Sequence, residues 1–225
     1  MSCRISIIIP TRNESATIAA TLAPLRERDV LEVIVVDGAS ADETRAVAGP
    51  LADRVIESVA GRARQMNAGA AVARGEILLF LHADTLVPPG FAAAIVAACE
   101  SGIGGRFDVT LAAKGRRFRI IETAINLRSR STGLFTGDQG LFIRAEVFRE
   151  LGGYPDQPLL EDLALARAMK RRGRVVALRE RLRTSPRRWQ RHGTLRTVAL
   201  MWWIRALYAA GVPATRLTRL YPDAR

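Results

Sequence analysis

Lysine is nearly absent from this chain: of its 34 basic residues, only Lys114 and Lys170 are not arginine. Cysteine is equally scarce. Cys3 and Cys99 stand far apart without metal-ligand spacing, which excludes a disulfide framework and fits a reducing cytoplasm. The apolar run at the start stops at Ile9 before Pro10, too short for a signal-peptide core, and no stretch approaches the roughly 20 apolar residues of a membrane span. Two common phosphate cradles are also missing, since there is no Gly-x-x-x-x-Gly-Lys-Ser/Thr and no Gly-x-Gly-x-x-Gly after the first strand. No repeat, low-complexity tract or linker divides the 225 residues, a length that suffices for one sizeable core. One domain over residues 1–192 and a C-terminal helical extension over 193–225 are expected.

What is abundant is arginine, and it sets the formal net charge at +12. Acidic residues are spread through the first hundred positions, whereas residues 170–191 are dense in cations. A basic C-terminal third suits nucleic acid, anionic lipid or a phosphorylated substrate, and equally a solvated surface.

Apolar runs at 4–9, 33–36, 55–59 and 76–81 read as strands, and the segments between them carry helical signals. Ile18, Leu22 and Leu25 recur at helical spacing, Ser40 with Glu43 forms a capping box, and residues 62–73 have the Ala, Met and Gln content of a helix. Strands alternating with helices predict an α/β fold with a mainly parallel central sheet. The pattern then changes. Residues 104–111 alternate like a strand with one solvated side, which predicts an antiparallel or mixed portion. Helices are expected over 91–99, 118–127, 145–151 and up to Met169, with short strands at 140–143 and 175–178.

Three carboxylates fall at comparable places: Glu14 after the first strand, Asp37 after the second and Asp84 after the fourth. In open α/β sheets ligands bind outside the carboxyl ends of the strands, so a parallel sheet gathers these side chains on one edge. Asp84 is the metal candidate, because Mg²⁺ and Mn²⁺ prefer oxygen donors and bind through one or two carboxylates plus phosphate oxygens. His82 reaches the same place. A turn before Pro88-Pro89-Gly90 accounts for Asp84 just as simply, and a loop position accounts for His82.

Ile7-Ile8-Ile9-Pro10-Thr11-Arg12-Asn13-Glu14, Val35-Val36-Asp37-Gly38-Ala39-Ser40-Ala41-Asp42-Glu43-Thr44, His82-Ala83-Asp84 and Glu161-Asp162, in that order, resemble family 2 glycosyltransferases of the GT-A fold. The likeness covers roughly residues 4–189. It implies a Rossmann-like three-layer sandwich and transfer of a sugar from a nucleotide diphosphate donor, usually a UDP-sugar, to a small or lipid-linked acceptor by inverting displacement. Carried over residue by residue, it puts Pro10, Thr11, Asn13, Glu14, Asp37 and Ala83 at the nucleotide. Asp84 becomes the retained carboxylate of an Asp-x-Asp motif holding Mn²⁺ or Mg²⁺, with His82 in place of the first Asp. Asp162, beside Glu161, becomes the general base. The acidic first turn of a helix explains that pair without chemistry.

Weaker matches complete the set. Arg62 and Asn67 lie where the family often has a cation and an Asn near the donor, although an exposed helix face explains arginines there equally well. Gly137, Asp138 and Gln139 fall on an acceptor-side wall. Arg188-Trp189 resembles the end of a Gln-x-x-Arg-Trp motif, but Ser185 stands where Gln belongs, which disfavours a processive polymerase. The chain is most similar to short bacterial members, some of which are associated with arsenosugar-type biosynthesis. Residues 195–210 form an apolar helix with no clean polar face, to be packed under the core, paired with a second protomer or laid on the inner face of the membrane. Two other classes explain part of this sequence. A sugar-phosphate nucleotidyltransferase shares the topology but needs a Gly-rich loop after the first strand. A basic nucleic-acid-binding protein explains the charge, though not the strand-end motifs.

Overall fold

The computed structural model describes residues 4–27, 29–187 and 193–221. Among the described residues, eight strands form one sheet: β1 (Ile5–Thr11), β2 (Val30–Asp37), β3 (Arg54–Glu57), β4 (Ile77–Phe80), β5 (Thr85–Leu86), β6 (Gly104–Leu111), β7 (Leu141–Arg144) and β8 (Val175–Thr184). Their spatial order is β3-β2-β1-β4-β7-β6-β8-β5. The first four strands are parallel, with Ile8 opposite Ile34 on one side and Phe80 on the other. β7 runs antiparallel to both β4 and β6, so the sheet turns mixed where the sequence pattern changes.

The helices are α1 (Ile18–Leu22), α2 (Thr44–Ala48), α3 (Arg62–Val72), α4 (Phe91–Ser101), α5 (Arg116–Thr132), α6 (Ala145–Glu150), α7 (Glu161–Arg172), α8 (Thr194–Ala209) and α9 (Ala214–Leu217). Side chains alternate across a strand, and here both faces are covered. Ile7, Ile9, Val33, Val35 and Leu79 pack with Ile18 of α1 and Phe91 of α4. Ile8, Ile34, Val36 and Leu78 pack with Met66 of α3, Phe148 of α6 and Leu165 of α7. The result is the expected three-layer α/β arrangement.

β6 departs from expectation. It has no solvated side, and all of it but Thr110 is buried. β7 pairs only with Gly104 and Gly105, which leaves the rest of that edge open, and polar side chains of α5 take the place of a strand. Asn126 accepts from the Val109 N–H at 2.9 Å and donates to the Val109 carbonyl at 3.0 Å, while Glu122 accepts from the Leu111 N–H. Polar residues in β6 therefore mark an edge covered by a polar helix face, not by water. β8 also runs six residues past the expected 175–178, to Thr184.

The capping box is not formed. α2 starts at Thr44 without a side-chain cap from Ser40, whose hydroxyl turns to Asp37 instead. At the other end of the chain, Ile204 of α8 packs with Leu160, Leu163, Leu217 and Tyr221, while Trp202 and Trp203 of the same helix are exposed. Among the described residues, no helix is long and apolar enough to cross a membrane.

α3 lies close on the sheet at Gly69, where an added Cβ falls 2.5 Å from Ile8 Cγ2 and 2.9 Å from Val36 Cγ2. Alanine is favoured over glycine in helices by about 1 kcal/mol, but overpacking a filled core costs about 1–3 kcal/mol. Gly69→Ala is therefore expected to lower stability in urea denaturation. A gain in stability contradicts this packing.

Candidate functional site

The loops leaving β1 and β2 are tied together at the carboxyl edge of the sheet. Asn13, at φ +55°, donates its N–H to Ser40 Oγ at 2.9 Å, and its side chain accepts from the Ala41 N–H at 2.8 Å. Asn tolerates this left-handed backbone better than most residues. The Glu14 N–H donates to Thr44 Oγ1 at 2.8 Å. Asp37 is fully buried and accepts from the N–H and hydroxyl of Ser40, while Thr11, its register partner, lies 3.4 Å from it. Gln65 of α3 donates to the carbonyls of Thr11 and Val36, both at 2.8 Å, and so fastens the helix to both strand ends.

Beside these loops, the turn after β4 carries His82, Ala83 and Asp84. It is pinned by Thr21 Oγ1, which donates to the Ala83 carbonyl at 2.8 Å. Arg187 brings two of the strand-end carboxylates to one point: its Nη2 donates to Asp84 Oδ2 at 2.8 Å and to Glu14 Oε2 at 2.9 Å. This arginine was not singled out in the sequence, where nothing in its spacing sets it apart. The neighbouring Arg188 and Trp189 lie outside the described residues.

Opposite stands a second acidic group. Arg62, at the start of α3, donates through Nε to Glu161 Oε1 at 2.7 Å and through Nη2 to Asp162 Oδ2 at 3.3 Å. Asp162 Oδ2 also accepts from the Gly137 N–H at 2.7 Å. Leu160, just before α7, has φ +62°. That backbone is uncommon for leucine and is held by the contacts around it. Gly137 closes the gap between the two groups: a Cβ there falls 2.8 Å from His82 Nε2, 3.2 Å from Arg62 Nη2 and 3.5 Å from Asp162 Oδ2. Burial, reinforced by the Arg62 charge, lowers His82 from 6.5 to about 4, so its ring is neutral at pH 7. Burial works to raise Asp138, but the Thr136 hydroxyl and the nearby His82, Arg128 and Arg205 hold it below its ordinary value.

Not every candidate joins this site. Asn67 gives both ends of its amide to Tyr154, donating to the carbonyl at 2.8 Å and accepting from the N–H at 2.9 Å, so its side chain is used in holding that turn. Gln139 is fully buried and donates to Ser129 Oγ at 3.0 Å. Pro10 lies within β1 opposite Val36, and Ala83 is buried.

Among the described residues, no three His, Cys, Asp or Glu side chains converge as a ready-made metal cage. The oxygens of Asp84 and Glu14 around one cationic nitrogen nevertheless fit a hard divalent ion that takes one or two carboxylates and completes its shell with phosphate and water oxygens. Such an ion shares its oxygens with Arg187.

The profile described as "Glycosyl transferase family 2" matches residues 6–151. The mannosyltransferase PcManGT from Pyrobaculum calidifontis, solved with GDP-Man and Mn²⁺, superposes with a TM-score of 0.67 at 23% identity, over 100% of this chain and 70% of that one. Glucosyl-3-phosphoglycerate synthase from Mycobacterium tuberculosis, with Mn²⁺, UDP and phosphoglyceric acid, gives 0.63 at 20%, over 94% and 80%. TarS 1-349 of S. aureus, with UDP-GlcNAc, gives 0.64 at 19%, over 81% of this chain and 58% of that one. At these identities the likeness shows the fold alone. An uncharacterized protein of M. tuberculosis, MT1568, is 36% identical over 93 residues, which are 38% of this chain and 29% of that protein.

Burial pushes the Glu161 carboxyl above its ordinary value, against the pull of Arg62 and with a further push from Asp162. A raised acid binds its proton more tightly in the folded chain than in the unfolded one. Its contribution is full below the ordinary carboxylate range and is lost as pH rises through the raised value. Arg62→Met removes the opposing cation and widens that window. The substitution is expected to cost about 3 kcal/mol at pH 8 and clearly less at pH 5, read by urea denaturation at both. An equal cost at the two pH values contradicts the assignment.

Proposed function

Because the chain belongs to glycosyl transferase family 2, we propose that it moves a sugar from a nucleoside diphosphate, with UDP as the carrier, to a hydroxyl of a small or lipid-linked acceptor. The observation that supports this reading is that Gly137, whose N–H donates to Asp162, lies against the ring of His82, two residues before Asp84, so the carboxylates we assign to the metal and to the proton are near one another. Within the family we group it with the short bacterial members, some associated with arsenosugar-type biosynthesis, on its motifs alone. The transferase unit we propose is residues 1–192, with 193–225 as its extension.

In this reading the tied loops at Thr11, Asn13 and Ser40 shape the nucleoside side, with Pro10, Asp37 and Ala83 behind them. Asp37 acts by holding the turn, since its oxygens are engaged by Ser40. Asp84, with Glu14, would hold Mn²⁺ or Mg²⁺, which supplies charge stabilisation to the departing diphosphate. Asp162 takes the proton of the acceptor hydroxyl. The acceptor oxygen forms its bond to the anomeric carbon from the face opposite the diphosphate, the bond from carbon to diphosphate oxygen breaks, and the electron pair leaves with UDP. The glycoside is inverted, and Asp162 carries the proton. Gly137 and Arg62 orient Asp162, and Glu161 fixes Arg62.

Calorimetry with UDP and Mn²⁺ tests the donor side. Wild type is expected to bind and Asp84→Ala to lose about tenfold or more in affinity, the equivalent of one charged contact. Failure of any nucleoside diphosphate to bind with metal contradicts the site. Asp162→Asn is expected to bind UDP normally and to lose turnover by about 10²–10⁴-fold, and full activity in that variant removes Asp162 as the base.

A further inference from the structure

Four buried side-chain atoms find no hydrogen-bond partner among the described residues: Arg106 Nη2, Arg128 Nη2, Arg205 Nε and Gln139 Oε1. They come from β6, α5, α8 and the turn Gly137–Gln139, far apart in the chain. A single turn links them to the candidate base. Gly137 donates its N–H to Asp162, Asp138 follows, and Gln139 donates to Ser129 beside Arg128 and lies 3.4 Å from the carbonyl of Phe107 beside Arg106. Arg128 feels the charges of Arg205, Asp138, Asp162 and Arg106 together.

The charges do not cancel. Arg106 and Arg130 share the carboxylate of Asp108, which leaves Arg106 Nη2 unused. Arg128 and Arg205 repel one another across Asp138, and burial followed by that repulsion brings Arg128 down to about 10. A buried donor without an acceptor costs about 1–3 kcal/mol, and more when it is charged. Native proteins hold few such groups, and several in one place next to a candidate reaction centre mark a ligand site. Guanidinium donors match an oxyanion with two or three oxygens, whereas a neutral sugar hydroxyl offers one acceptor and no countercharge.

We propose that the acceptor is an anion bearing a phosphate or carboxylate group, which Arg128 and Arg205, backed by Arg106, grip beside the Gly137–Gln139 turn. The word acceptor rests on the transferase reading above; the anion site does not. The same chemistry could come from the donor diphosphate, and the test separates the two.

The probe is inorganic phosphate, titrated by calorimetry into the full chain with and without saturating UDP and Mg²⁺. Phosphate is expected to bind wild type alike in both conditions, and Arg128→Gln and Arg205→Gln are each expected to weaken it about tenfold or more while UDP binding stays within about twofold. Retained UDP binding also reports that the variants fold. Should a variant not fold, phenylglyoxal labelling of wild type read by peptide mass spectrometry replaces it, with phosphate expected to protect Arg128 and Arg205. Competition between phosphate and UDP overturns the proposal by assigning the arginines to the donor. Binding unchanged in both variants, or phosphate that protects neither arginine, means an adventitious ion only, and no phosphate binding at all also overturns it. If UDP fails to bind while phosphate binding follows the arginines, the donor reading falls and the anion site stands.

Discussion

Arg62 extends from the first turn of α3 to the first turn of α7, where Glu161 and Asp162, about a hundred residues away in sequence, close on its guanidinium. Three charged groups in a largely buried place are costly unless their geometry offsets the loss of hydration, and here both Asp162 oxygens and Glu161 Oε1 have defined donors. Asp162 keeps one oxygen on Arg62 and Gly137 and the other on the Leu163 N–H. That arrangement holds Leu160 at positive φ and fixes the turn at Gly137. A Cβ at position 137 would fall 2.8 Å from His82 Nε2 and 3.2 Å from Arg62 Nη2, so glycine lets the two sides of the rim approach without displacing those side chains.

The other side of the rim is built from strand ends. Parallel pairing of β1 with β2 and β4 brings Thr11, Asp37 and the turn after Phe80 to one edge, and side chains lock the loops that leave it. Asp37 is consumed in this scaffold, whereas Glu14 and Asp84, each partly exposed, are bridged by Arg187. A rim with two carboxylates and no glycine-rich cradle is poorly suited to a diphosphate on its own, because like charges repel. In the proposed reading Asp84 and Glu14 would hold a divalent ion that supplies positive charge to the diphosphate, and Arg187 would then be free for the phosphates. The guanidiniums near Asp138 give the opposite side a positive character suited to a second anion.

Much of this was legible in the residues. Apolar runs flanked by turn signals located the first four strands, because a strand buried on both faces has no polar alternation to confuse the reading. The carboxylates at their ends followed from parallel topology. Contacts between distant segments were not legible. The alternation in β6 arises from Arg106 and Asp108, with Asp108 paired both to Arg106 and to Arg130 of α5, a pattern that looks the same as exposure to water. Ser40 and Glu43 spell a capping box, yet Ser40 is drawn to Asp37 by a loop in left-handed conformation at Ala39. Asn67 lies five residues beyond Arg62 on the same helix, but the helix turns its amide towards Tyr154. Arg187 acquires its partners from residues 103 and 173 positions away, which no local spacing reports.

The most direct test is a crystal structure with UDP and Mn²⁺, using the anomalous signal of the metal. The account predicts an anomalous peak between Asp84 and the diphosphate, uridine beside the Thr11 and Asn13 loops, and Arg187 withdrawn from Asp84. Nucleotide bound elsewhere, or Arg187 still bridging Glu14 and Asp84 with no metal peak beside them, contradicts it.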